Sequence, residues 1–317
     1  MRRWMLAAAL SLAASVQAQP YPSQPIKLIV PWPPGGGVDT SARIVSQPLG
    51  ERLGHNLVVE NRGGAGGNIG TELAARAPAD GYTLLMASSS PNAINIHLYA
   101  KLSFHPLKDF TPIVYVTAVP NVLVVPGNSP FNSAQELLAH IKANPGKVNY
   151  GSAGMGSSQH LAAAMLIAST GADIVHVPYK GTGPAEADLV AGHVGMMLDT
   201  TACIPFVKSG RMKALAVASK ARNAALPDVP TFDEIGIKGV YSSAWYGLMG
   251  PAGLKPDVVT RINHEVNELL KTPDVRKRIA DFGGEPGGGT PAEFGRFIES
   301  EIVRYADIVK ASGAKVE

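Results

Sequence analysis

The chain has 317 residues, 45% of them apolar and 17% charged, with a formal net charge of +3. That length and apolar share suit two α/β domains with cores of their own. Without Arg2 and Arg3 the charge falls to about +1, with 26 basic residues against 25 acidic, which leaves no electrostatic footprint for nucleic acid and no polybasic run for anionic lipid.

Residues Met1–Ala18 read as a secretory leader. Arg2 and Arg3 form a basic start, an apolar stretch runs from Trp4 to about Ala14, and Val16-Gln17-Ala18 gives a cleavage pattern. The apolar stretch falls short of the ~20 residues of a spanning helix, so the reading is export to the periplasm. No Cys sits at the cleavage point to take a lipid. The lone cysteine, Cys203, can form no internal disulfide and reads as a small core residue.

Short β-branched runs then alternate with amphipathic stretches, the pattern of an α/β fold with mostly parallel sheets flanked by helices. Ile26–Val30 is a strand, followed by Pro31-Trp32-Pro33-Pro34-Gly35-Gly36-Gly37, with Asp39 capping a helix to about Leu53. Leu57–Glu60 is a strand. The cluster Gly63-Gly64-Ala65-Gly66-Gly67 leads into a helix from Asn68, and Tyr82–Met86 is a strand ending in Ser88-Ser89-Ser90. Val122–Val125 crosses into a second unit, with a helix at about Ser133–Ala143. Val148–Tyr150 is a strand that runs into Gly151–Ser158 and a helix from about Gln159. Ile174–Tyr179 is followed by Lys180-Gly181-Thr182-Gly183-Pro184 and a helix from Ala185. Val194–Leu198 and Ala214–Ala218 complete the second sheet, and Ala244–Met249 returns. The helices Pro256–Lys271, Asp274–Phe282 and Pro291–Ala311 close the chain. The expected division is a leader over 1–18, a first domain of 19–121 with 240–317, and a second domain of 122–239.

The recurring theme is strand, glycine-serine loop, helix start. A helix's first turn has unpaired N–H groups carrying about half a positive charge. Glycine lets a ligand approach the backbone, and serine adds hydroxyl donors. Such loops seat anions without Lys or Arg. A single loop could equally be a tight turn; four alike favour seats.

The catalytic and nucleotide signatures are missing. Gly64-Ala65-Gly66 and Gly154-Met155-Gly156 begin like dinucleotide fingerprints, but Ile69 and Gln159 stand where the third glycine belongs. There is no Walker loop, Gly-x-Ser-x-Gly elbow or His-Glu-x-x-His helix. The histidines show no metal-ligand spacing, so no metal and no cofactor is expected. His160 stands beside Ser157 and Ser158 at a helix start, where it either touches a ligand or caps the helix. Asp39 is read as a cap first and a ligand contact second. Asp199, just past a strand end, is the more suggestive carboxylate.

These motifs together resemble the Bug family, the periplasmic receptors of tripartite tricarboxylate transporters. The matching segments are Val30–Asp39, Asn61–Gly70, Tyr150–Gly154 with Ser157 and His160-Leu161, Val177–Gly181 with Gly183-Pro184-Ala185, Pro227–Thr231 and Trp245-Tyr246-Gly247. The resemblance spans essentially the whole mature chain. It implies a two-domain periplasmic-binding-protein clamshell of type II, closing on a small carboxylate held by backbone, hydroxyls and water. On this sequence, the first wall would be Trp32, Gly36, Gly37, Val38 and Asp39 with Ser88 and Ser90. The second would be Ala153, Gly154, Met155, Ser157 and Ser158, with His160, Tyr179 and Asp199 nearby. Trp32 would stack on the ligand or shield the hinge side.

One segment departs from the family pattern: Ala162-Ala163-Ala164-Met165 replaces a stretch that often carries an acid. With Met155, Met196 and Met197 this leans toward an aromatic or apolar-bodied carboxylate, although helix–sheet packing is the commoner use of Met. The expected protein is a monomeric receptor without enzymatic activity, partnered by membrane transporter subunits or, as an orphan sensor, by a sensor kinase ectodomain. The rivals are a secreted hydrolase using Ser157 and His160, and an interaction protein without a ligand.

Overall fold

Two sheets share one strand. The computed structural model describes residues 21–316; the leader expected over 1–18 lies outside them. The elements run in the order β1 (Ile26–Val30), α1 (Gly37–Leu53), β2 (Leu57–Asn61), α2 (Asn68–Ala75), β3 (Thr83–Ser88), α3 (Asn95–Leu98), β4 (Phe110–Pro126), α4 (Ala134–Ala143), β5 (Val148–Ser152) and α5 (Ser158–Thr170). They continue with β6 (Ile174–Pro178), α6 (Thr182–Ala191), β7 (Met196–Thr200), α7 (Ile204–Lys208), β8 (Met212–Val217), β9 (Ser243–Pro251), α8 (Pro256–Lys271), α9 (Pro273–Asp281), β10 (Glu285–Gly288) and α10 (Pro291–Ser312).

The first lobe orders its strands β2-β1-β3-β9-β4-β10 and the second β6-β5-β7-β4-β8. The strands β2-β1-β3 run parallel, as do β6-β5-β7, whereas β9, β10, β8 and β4 pair antiparallel. Each sheet is therefore mixed rather than mostly parallel: the βαβ units give the parallel half, and the strands that cross between lobes give the rest.

The sequence showed only Val122–Val125 as a crossing strand, because Pro112 and Pro120 interrupt the pattern. The observed β4 is 17 residues long. Pro112 sits at a register shift against β9, and Pro120 is the last β9 partner before the strand moves to the second sheet at Asn121. Asn121 is fully buried and ties the crossings together. Its N–H donates to Ser242 O at 2.9 Å, its carbonyl accepts from Ala218 N–H at 2.8 Å, and its Nδ2 donates to Leu198 O at 2.9 Å.

Local chemistry explains the helix ends. Helix α1 stops at Gly54, which takes φ 78°, open to glycine without a Cβ penalty. Pro48 inside α1 removes one N–H, and Arg278 of α9 donates to the Ile44 carbonyl four residues back at 3.3 Å. Helix α10 opens on a capping box between Thr290 and Glu293. Helix α8 buries one stripe (Val258, Val259, Ile262, Val266, Leu269, Leu270) against α1 and β4, packing back on the first lobe. Two differences follow from turn chemistry. Helix α6 starts at Thr182 rather than Ala185, because Pro184 fits a first turn whose N–H needs no partner. The Gly287-Gly288-Gly289 turn begins as an edge strand, β10.

Candidate functional site

The strand-to-helix loops of both lobes meet in a cleft. From the first lobe it is lined by Trp32, Pro33, Gly36, Gly37, Val38, Ser88, Ser89, Ser90, Ala244 and Tyr246. From the second come Ala153, Ser157, Ser158, Gln159, Thr182 and Thr200. None of these carries a charge. The N-termini of α1, α5 and α6 all open here, so unpaired N–H groups converge from both sides.

The first wall is the turn between β1 and α1. Gly36 caps the helix in extended conformation with no side-chain bond. A Cβ on Gly37 would collide with the Tyr246 hydroxyl, so only glycine lets the helix start lie against this phenol. Trp32 is 9% exposed and donates Nε1–H to Ser88 Oγ at 3.3 Å, tying the turn to the end of β3. Asp39 is neither the N-cap nor a wall of the cleft. It sits in the first turn and folds back: its Oδ2 accepts from Gly35 N–H and Arg43 Nε, each at 3.0 Å, and its Oδ1 from Asn61 Nδ2 at 3.0 Å. Burial alone would raise its pKa, but those bonds and the Arg43 charge hold it below the usual carboxylate range.

The wall on the second lobe is built on the loop from Ala153 to Ser158. Gly154 and Gly156 take φ 124° and 77°, which bend the chain so that Ser157 caps α5. Ser157 Oγ accepts His160 N–H at 3.2 Å and donates to Gly154 O at 2.7 Å. The His160 ring stays behind the loop. Its Nδ1 accepts Gly156 N–H at 3.3 Å, and it stacks on His176, which stacks on Tyr150 (centroids 4.5 and 4.7 Å apart). Burial lowers the pKa of both imidazoles to about 4, so they are neutral at pH 7. The Ser157 hydroxyl therefore meets His160's backbone and not its imidazole, and the pair has no nucleophile–base geometry.

Gly154, Met155, His160, Tyr179 and Asp199, like Asp39, lie off the cleft wall. The Tyr179 hydroxyl points away, to Asp188 Oδ2 at 2.6 Å. Asp199 is fully buried beneath the floor, its Oδ1 accepting from Gln159 Nε2 and Thr200 N–H, both at 2.7 Å. The second glycine loop packs inward: Gly67 lies against Pro91 and Trp32, and Gly66 against the Met155 carbonyl. Met196 and Met197 are buried in the two cores of the second lobe, and among the described residues no methionine lines the cleft. The lean toward an apolar-bodied ligand loses that basis; the apolar wall comes from Trp32, Pro33, Val38, Ala153 and Ala244.

Four polar contributors stand outside the residues expected from the sequence: Gln159, Thr182, Thr200 and Tyr246. Gln159 joins three elements: its Oε1 accepts Ala153 N–H at 2.7 Å while its Nε2 donates to Asp199 and, at 3.2 Å, to Thr182 Oγ1. Thr182 begins α6 and Thr200 ends β7. Tyr246 pairs with Ser88 across β3 and β9, and no described residue bonds its hydroxyl, which opens on the cleft. Burial, with the nearby Asp199, pushes its ionisation far up, so it is a neutral donor. Strand alternation was the available signal: Trp245 and Tyr246 must face opposite sides, and Trp245 takes the core.

The sequence profile described as "Tripartite tricarboxylate transporter family receptor" matches residues 41–314. Protein BugT of Bordetella pertussis is 39% identical over 312 residues, covering 98% of this chain and 96% of that protein. Among solved structures, R. palustris Rpa4515 with adipate superposes with a TM-score of 0.91 at 33% identity, covering 93% of this chain and all of that one. MatC from Rhodopseudomonas palustris with bound malate gives a TM-score of 0.86 at 32% identity, over 91% of this chain and all of that one.

Proposed function

Because this chain belongs to the tripartite tricarboxylate transporter receptor family, the Bug type, we propose that it captures a small carboxylate between its lobes. We further infer that it works in the periplasm and hands the ligand to membrane transporter subunits. The observation that carries the reading is the convergence of three helix N-termini and neutral hydroxyls on a cleft with no cation in its wall. Each N–H to carboxylate bond contributes ~1.5–3 kcal/mol net, and each helix end ~0.3–1 kcal/mol more. Removing a carboxylate from water costs several kcal/mol. One seat roughly breaks even, whereas seats on both lobes leave a surplus, so ligand and closure depend on each other. Relatives bound to adipate and malate give the ligand class its size and charge.

The test is a thermal-shift screen of adipate, malate and a tricarboxylate against their neutral amides. At about 100 times its Kd a ligand adds ~2.7 kcal/mol, a Tm rise of roughly 5–10 °C. Equal shifts with acids and amides, or none with any acid, would defeat the proposal.

A further inference from the structure

Beneath the cleft floor two acids are buried, and no cation among the described residues neutralises them. Asp199, near the end of β7, is fully buried, and Glu186 of α6 is 5% exposed. Asp199 Oδ1 has its two donors, from Gln159 and the Thr200 N–H. Asp199 Oδ2 and Glu186 Oε1 have no donor among the described residues, and the two carboxyls stand close enough that each acts on the other's ionisation. The titratable groups that face the pair are the Cys203 thiol, from the turn after β7, and the Tyr246 phenol, from β9. Both are kept neutral, first by burial and then by the Asp199 charge, to which Glu186 adds at Cys203. No Lys or Arg is among the groups that act on either carboxyl.

Two adjacent carboxylates cannot both ionise in a site this dry. A proton on one carboxyl, donated to the other, supplies the donor that the orphan oxygens lack. Burial raises both acids. Asp199's charge pushes Glu186 further, while the Gln159 and Thr200 donors partly favour ionised Asp199. At neutral pH the pair holds one proton and one negative charge. That charge stands directly behind Gln159 and Thr200, both of which line the cleft.

Resting on the reading of the cleft as an anion receptor, we propose that Glu186 and Asp199 form a proton-binding site that couples capture of a carboxylate to uptake of a proton. The arriving anion brings a second negative charge into the same low-dielectric volume. The pair relieves the repulsion by taking H⁺ from solvent, which turns a carboxyl–carboxylate pair into two carboxyls; no bond to the ligand forms or breaks. Capture then strengthens as pH falls and release is favoured as pH rises. One linked proton changes the affinity by at most about tenfold per pH unit.

The test is calorimetric titration with adipate and with malate near pH 7, in two buffers of different protonation enthalpy. The expected heats differ between buffers by up to one proton per ligand for the wild type. They coincide for Glu186→Gln, whose amide donates to Asp199 and leaves it ionised. They also coincide for Asp199→Asn, which leaves Glu186 neutral and binds as the wild type does at low pH. The ligand-free proteins give a second arm. Raised carboxyls contribute stability that is present at low pH and lost as pH rises through their folded pKa values, so between about pH 6 and 9 the wild type declines relative to Glu186→Gln. Binding with identical heats in both buffers, or parallel stability profiles, would overturn the coupling alone. No binding of either acid would overturn the receptor reading, and the coupling with it.

Discussion

Replacing Tyr246 by Phe removes one oxygen and leaves the ring in place against Phe282, at a centroid distance of 6.3 Å. Since no described residue bonds that hydroxyl, the unliganded fold should hold within about 0.5 kcal/mol. The liganded state loses a neutral donor to a carboxylate, ~1.5–3 kcal/mol, so Kd should rise roughly 10- to 150-fold. Titration calorimetry with the best acid of the panel reads this directly, and the melting curve of the free protein is the control. Gly37→Ala supplies a cross-check. Its Cβ would strike the Tyr246 hydroxyl and stand 3.1 Å from the ring's Cζ and 3.4 Å from the Phe282 ring. Alone it should destabilise by ~1–3 kcal/mol through overpacking. In the Tyr246→Phe background the closest clash is gone, so the two changes should be non-additive by about 1 kcal/mol or more. A Kd for Tyr246→Phe within twofold of wild type, with additive melting changes, would refute the placement of this hydroxyl in the cleft.

Gln159→Leu strands the Ala153 N–H and takes from Asp199 Oδ1 one of its two donors, leaving the Thr200 N–H; the expected cost is ~2–4 kcal/mol, seen as a Tm fall of about 5–10 °C. Thr290→Ala breaks the α10 capping box, far from the cleft, and should cost about 1 kcal/mol of stability with Kd unchanged. His160 and His176 have pKa values depressed by burial to about 4, so the stability they contribute is present above the ordinary histidine range and is lost as pH falls from about 6.5 toward 4. The Tm of wild type should therefore drop relative to His176→Phe, which keeps a ring in the stack, as melts are run from pH 7 down to about pH 4.5.

Much of the cleft could be read from the chain because its chemistry is local. Gly36 and Gly37 before α1, Ser88 and Ser90 after β3, and Ala153, Ser157 and Ser158 before α5 follow from strand, loop and helix signals within a few residues of one another. The misplaced residues share another cause. Asp39, His160 and Tyr179 stand in those same loops, but their side chains turn to partners the chain supplies elsewhere (Asn61, His176 and Asp188). Sequence gives the backbone position of such a residue and not the direction of its bonds, because a polar group is drawn to whichever donor the fold brings near.

By itself the sequence determined the alternation of strand and helix and the glycine-serine loops at the helix starts, since each is a property of a short segment. Only the tertiary structure decided that β4 would serve both sheets, that Tyr246 would close against Gly37, and that Glu186 and Asp199 would share one dry site. Those pairings join residues far apart in the chain, and what selects them is close packing together with the need of every buried polar group for a partner.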